Sequence, residues 1–287
     1  MPSAPLRDAL DRLPPLRTVI AEHGLSARKR LGQHFLLDLN LTGKIAATAG
    51  DLAKGTTIEV GPGPGGLTRA LLSAGATQII AIERDPRCVA ALQGLQAVAE
   101  DRLTVVEGDA QKVDIARLGQ PPRRVVANLP YNVATALLTS WMAVAEHFQS
   151  FTLMFQKEVA ERITAKPGDP AYGRLAVLAN WRCRTEMSMT LPARAFTPPP
   201  KVDSAVVHLV PSKDQPHACS LEDLQKVTAA AFGQRRKMLR RALRPLGVDV
   251  EKLLTASQID PTRRAEELDI AAFARLTRTF SNLRGAP

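Results

Sequence analysis

The β-branched run Thr56-Thr57-Ile58-Glu59-Val60 leads straight into Gly61-Pro62-Gly63-Pro64-Gly65-Gly66 and then into the periodic apolar stretch 67–75. A strand that must turn within six residues into a helix leaves few architectures open. Glycines there permit a tight turn and a close approach of backbone to a ligand. Taken alone, this loop suits a dinucleotide, S-adenosylmethionine, or a strand-to-helix turn that binds nothing.

The rest of the chain repeats the pattern. Strands are expected at 78–83, 103–108, 123–129 and 150–156, with helices at 66–75, 88–99 and 134–148. Alternating β and α with apolar, β-branched strands implies a mainly parallel sheet covered by helices on both faces. "EMSMTLPARAF" (186–196) and "SAVVHLV" (204–210) flank the turn-rich "TPPPKVD" (197–203) and read as a hairpin-like pair closing one sheet edge. Beyond the linker-like "PSKDQPHACS" (211–220) every signal is helical, including a short helix read across "RRKMLRRAL" (235–243). The division expected is therefore 1–212 for an α/β domain with an N-terminal extension, and 213–287 for a small all-α domain.

Acceptors stand at the ends of successive strands. Glu83 ends the second, where a carboxylate can accept from both hydroxyls of a ribose. Asp109 follows the third, where it can receive an adenine amino group or cap a turn. Asn128-Leu129-Pro130-Tyr131 follows the fourth. The exocyclic nitrogen of an aminopurine is a poor nucleophile, because its lone pair is delocalised into the ring. Two acceptors on its protons localise that pair: the Asn128 side-chain oxygen and the carbonyl of Leu129 or Pro130. Pro130 holds Leu129 extended and has no N–H to compete. Tyr131 offers a stacking face worth about 1–3 kcal/mol to a base. Amino-group methylation with S-adenosylmethionine accounts for this whole set. An NAD-dependent oxidoreductase accounts for the glycines and Glu83 but leaves Asn128–Tyr131 unused.

Charge narrows the partner. Lys and Arg number 38 against 28 Asp and Glu, a formal +10 with pI near 9.9, which favours a polyanion. Arg236, Lys237, Arg240, Arg241 and Arg244 fall on one half of a helical wheel over 236–244, opposite Met238, Leu239, Ala242 and Leu243. Arg28, Lys29 and Arg30 form a second basic patch. Both are candidate RNA-phosphate contacts, which position a substrate without specifying a base. Cys88, Cys183 and Cys219 lie far apart with no C-x-x-C pair, so neither a disulfide framework nor a metal is expected, and a reducing cytoplasm fits. No membrane span or signal peptide is expected.

The motifs "ARKRLGQHFLLD" (27–38), "EVGPGPGGLT" (59–68), "NLPYNV" (128–133), "FQKEVAERI" (155–163), "YGRLAV" (172–177), "FTPPPKVDSAVV" (196–207), "FGQRRKMLRRAL" (232–243) and "RAEEL" (264–268) occur in this order. In them the chain resembles the ribosomal RNA adenine N6,N6-dimethyltransferases, specifically the bacterial small-subunit type, from about Leu25 to Leu283. The resemblance implies a Rossmann-like methyltransferase fold using S-adenosylmethionine. It implies dimethylation of two adjacent adenosines near the 3′ end of 16S rRNA, in the small ribosomal subunit or its precursor, by a monomer. By position it implies His34 and Leu36 in a loop over the cofactor, and Gly61 with Gly63 beneath its methionine part. Glu83 would sit at the ribose, Asp109 at the adenine and Asn128 at the target amine. His34 is often Asn in relatives, so a side-chain contact there does not carry over. Phe196 is a candidate second stacking face opposite Tyr131. Two related readings stay open: the macrolide-resistance methyltransferases of the large subunit, and a ribosome-assembly factor on the same fold.

Overall fold

β-branched and aliphatic side chains are buried on both faces of the strands between Thr56 and Gln156, as a sheet between helical layers requires. The computed structural model describes residues 4–26, 33–212 and 217–285. Its first helices and strands are α1 (Ala4–Asp11), α2 (Leu16–Glu22), β1 (Phe35–Leu36), α3 (Leu39–Thr48), β2 (Thr56–Val60), α4 (Gly66–Ser73), β3 (Ile79–Glu83), α5 (Pro86–Ala99) and β4 (Leu103–Glu107). Then come β5 (Arg123–Asn128), α6 (Tyr131–Trp141), β6 (Ser150–Gln156), α7 (Lys157–Thr164), α8 (Arg174–Arg182), β7 (Cys183–Leu191), β8 (Phe196–Thr197) and β9 (Ser204–Pro211). Last are α9 (Leu221–Gly233), α10 (Leu239–Ala242), α11 (Val250–Ala256) and α12 (Ile270–Gly285).

Seven strands form one sheet in the order β4-β3-β2-β5-β6-β9-β7. β4 through β6 run parallel, and β9 is antiparallel to β6. The fold is thus the expected Rossmann-like α/β arrangement, with β9 and β7 adjacent at one edge. β1 and β8 form a separate two-stranded ribbon pairing Phe35 with Thr197 and Leu36 with Phe196.

Two units are distinguishable: residues 1–160 with 186–211, and 161–185 with 212–287. The segment 161–185, which the sequence division assigns to the first domain, belongs to the second unit. Its apolar residues Tyr172, Val177, Leu178 and Trp181 pack with the helices after residue 220, a long-range contact that local sequence does not show. The first unit's core runs from Leu6 and Leu10 through Leu36, Leu71, Ile79 and Val126 to Val206. The second is built around Tyr172, Trp181, Leu224, Phe273 and Phe280, with the Tyr172 hydroxyl donating to the Leu268 carbonyl at 2.9 Å.

The basic segment corrects the sequence reading. Residues 234–238 form a turn, and the helix over 236–244 reduces to α10. The turn is pinned by Arg235, whose Nε donates to Glu266 at 2.8 Å and whose Nη2 donates to the Pro170 carbonyl at 2.7 Å. Leu239, Ala242 and Leu243 are buried as expected, but Met238 is exposed. Arg28, Lys29 and Arg30 lie outside the described residues. No described helix is long and apolar enough to cross a membrane.

The N-terminal extension is structural. α1 sends Leu6 and Leu10 into the first core, and Arg87 reaches back to the Gly24 carbonyl at 2.8 Å while pairing with Asp85 at 2.7 Å. Leu10→Ala should therefore lower the unfolding free energy by about 2–5 kcal/mol, the usual cost of a buried Leu-to-Ala cavity. A urea titration followed by circular dichroism reads this directly. A midpoint equal to that of the wild type would mean α1 is not part of the core.

Candidate active site

The site is assembled at the carboxyl ends of the parallel strands. β2 ends at Val60, and the chain turns at Gly61, whose φ of +72° favours glycine. Gly66 opens α4 against the ribbon: a Cβ there would stand 2.8 Å from the Leu36 carbonyl oxygen. A Cβ at Gly63 would come within 3.2 Å of the Phe35 ring. The glycines that the sequence suggests for a ligand thus also admit β1 over the loop. A cavity opens beside this turn, lined by His34, Leu36, Gly61, Gly63, Glu83, Asp109, Asn128, Leu129, Pro130 and Tyr131. Those sequence candidates come together in one place.

Glu83 is 7% exposed and held by three backbone donors. Gly63 N–H donates to one oxygen at 3.0 Å, and the N–H groups of Arg84 and Asp85 donate to the other at 2.7 and 2.8 Å. Burial raises its pKa, partly offset by these donors. Asp109 receives the Gln111 N–H at 3.0 Å, a local turn cap, and pairs with the exposed Arg84 at 3.3 Å. It lines the cavity and caps its turn at once.

Asn128 ends β5. Its Nδ2 donates to the His34 carbonyl at 3.2 Å. The Pro130 carbonyl accepts from Val133 and Ala134 N–H, both at 3.1 Å, and so serves the first turn of α6. Of the two carbonyls weighed from sequence, Leu129's is therefore the one α6 does not claim. The Tyr131 hydroxyl lies 2.6 Å from Ser204 Oγ. Phe196 does not line the cavity. It is 2% exposed and packs in the core with Leu36, Met154 and Val206, because its place opposite Leu36 in the ribbon turns the ring inward. The ring beside Tyr131 is instead His34, with centroids 5.6 Å apart and planes 26° from parallel.

Glu59 is not among the residues that the sequence singles out. It is the penultimate residue of β2 and is 1% exposed, and neither carboxyl oxygen has a hydrogen-bond partner among the described residues. A charged residue amid a β-branched run was the available signal. Burial drives its pKa up to about 8; the Thr68 hydroxyl opposes this without a hydrogen bond of normal geometry, and the charge of Glu83 adds to it. Among the described residues, no group of three or more His, Cys, Asp or Glu is placed to hold a metal.

In the second unit, Arg236, Lys237, Arg240, Arg241 and Arg244 are exposed. None makes an ion pair among the described residues, whereas Arg235 is tied to Glu266. That unit carries 19 Lys and Arg against 11 Asp and Glu, so +8 of the chain's formal +10 resides there.

A family model described as ribosomal RNA adenine dimethylase matches residues 24–282. The ribosomal RNA small subunit methyltransferase A of Xanthobacter autotrophicus is 59% identical over 280 residues, covering 96% of this chain and 97% of that protein. The protein of the same name from Azorhizobium caulinodans is 57% identical over 281 residues, covering 96% of each. A crystal structure of a dimethyladenosine transferase from Plasmodium falciparum superposes with a TM-score of 0.74 at 25% identity, covering 88% of this chain and 98% of that one.

Glu59 yields a pH-dependent expectation. Its folded pKa lies above its unfolded value, so its contribution to stability is complete below about 4.5 and is lost as pH rises through about 8. Glu59→Gln should match the wild type in melting temperature near about pH 5 and exceed it by several degrees near about pH 9. Scanning calorimetry across that range checks this. A difference that does not grow with pH would place the proton elsewhere.

Proposed function

The chain belongs to the ribosomal RNA adenine dimethylase family, and from that membership we propose that it uses S-adenosylmethionine to dimethylate N6 of two adjacent adenosines near the 3′ end of 16S rRNA. The substrate would be the small ribosomal subunit or its precursor, met in the cytoplasm by a monomeric enzyme. The observation that carries this reading is the convergence of the glycine turn, Glu83, Asp109 and Asn128–Tyr131 on one cavity.

The residues fit the proposed cofactor. Gly61 and Gly63 line the cavity with backbone alone, which lets a ligand approach it closely. Glu83 is a buried carboxylate whose orientation is fixed in advance by three N–H groups, suited to ribose hydroxyls. Asp109 would take the adenine amino group. When bound, S-adenosylmethionine supplies an electrophilic methyl on a sulfonium, with a neutral thioether as leaving group.

The protein's own part is positioning. With Nδ2 anchored on the His34 carbonyl, Asn128 presents Oδ1 as the free acceptor. This oxygen and the Leu129 carbonyl would each take one N–H of the target amine, drawing its nitrogen toward tetrahedral geometry and localising its lone pair. Tyr131, steadied by Ser204, would support the base from one face. The exposed arginines of the second unit would hold the RNA phosphates without reading bases.

Relatives named for the small subunit at 59% and 57% identity favour that substrate over the large-subunit alternative. An assembly role alone would not need a cavity that keeps every acceptor.

Two measurements test this reading. Asn128→Ala should lower kcat by on the order of 10²–10³-fold, as loss of one preorganised hydrogen-bonding group does elsewhere, with RNA affinity within about twofold. Transfer within a few-fold of wild type would remove Asn128 from the chemistry. Replacing Arg236, Arg240 and Arg241 together with Gln should flatten the salt dependence of small-subunit binding by roughly two to three units of log K per log salt. Filter binding at several salt concentrations reads the slope. An unaltered slope in the folded variant would leave that surface facing solvent only.

A further inference from the structure

His34 joins the parts of the cavity that the target base would use. Its ring stacks on Tyr131. Its Nδ1–H donates to the Pro198 carbonyl at 2.8 Å, and its own carbonyl accepts from Asn128 at 3.2 Å. Tyr131 is tethered by its hydroxyl to Ser204, so the phenol ring has a fixed place. The imidazole matches the five-membered half of a purine in size, planarity and π-face. Its N–H to the Pro198 carbonyl holds the ring in that place.

We propose that the His34 side chain is a stand-in for the target adenine: the base displaces the imidazole from its place on the Tyr131 ring, with its two amine N–H groups going to Asn128 Oδ1 and the Leu129 carbonyl. The main chain of His34 keeps its hold on Asn128 throughout, so the amide oxygen stays aimed at the amine while the ring leaves. This deepens the proposed function and rests on its reading of Asn128–Tyr131 as the seat of the base. The consequence is selectivity. A loose adenine must compete with a tethered ring, whereas an adenine delivered by RNA held at many phosphates wins that competition.

The competition sits in binding and not in the chemical step. His34→Ala, assayed with small subunits lacking the modification at saturating S-adenosylmethionine, should lower KM for the subunit about three- to tenfold, the worth of a weak stacking contact. His34→Asn, which keeps a polar side chain and the backbone contact, should fall in the same direction. A second readout needs no variant of His34 to be active. In the NMR spectrum of the wild-type protein the His34 ring protons should be shifted upfield by the Tyr131 ring. Tyr131→Leu should abolish that shift, and a saturating short RNA carrying two adjacent adenines should abolish it in the wild type. An unchanged or higher KM in His34→Ala overturns the proposal. So does a His34 resonance that stays upfield with the RNA bound, while Tyr131→Leu still raises KM. If Tyr131→Leu leaves KM for the subunit unaltered, the seat itself is misassigned, and the proposed function's geometry falls together with this inference.

Discussion

The hydrogen-bonded register of β2 between β3 and β5 sets the height at which every acceptor of the site appears. Val60 pairs with Ile82 and Glu59 with Val126, so Gly61, Glu83 and Asn128 reach the carboxyl edge in one layer. Glu83 in turn pairs with Glu107, which puts Asp109 just beyond that edge. In a sheet a slip of one residue sends each side chain to the opposite face. Here it would turn Asn128 to the opposite face, away from the His34 carbonyl that it holds. The apolar residues that fix this register, Ile58, Ile82, Val125 and Val126 among them, are almost fully buried, and they hold a polar site at the sheet's edge.

That arrangement leaves two carboxylates close together under the glycine turn. Glu83 is offset by three backbone N–H groups, and Glu59 has none. An unpaired buried carboxylate escapes the cost of charge by holding its proton.

The sheet was legible because buried parallel strands are written as β-branched runs with glycine at their exits. The strand ends were legible because acceptors in ordered succession are hard to read any other way. Three features were not. The turn at 234–238 carries a helical spacing of apolar residues, and only the tertiary anchors of Arg235 on Glu266 and Pro170 oppose a continuous helix. Phe196 looked available for stacking, but its inward direction follows from pairing with Leu36, a contact 160 residues away that local sequence cannot show. The same pairing brings His34 to Tyr131. α1 passed unnoticed because its burial depends on leucines spaced for a core assembled far along the chain.

In the proposed reading this cavity places the N6 amine of each of two neighbouring adenines for methyl transfer. The most direct measurement is transfer of labelled methyl from S-adenosylmethionine to small subunits from a strain lacking the modification, with nuclease mapping of the labelled nucleosides. N6,N6-Dimethyladenosine is expected at two adjacent positions near the 3′ end of 16S rRNA. Label found on large-subunit RNA, on a different atom of the base, or on no RNA at all would contradict it.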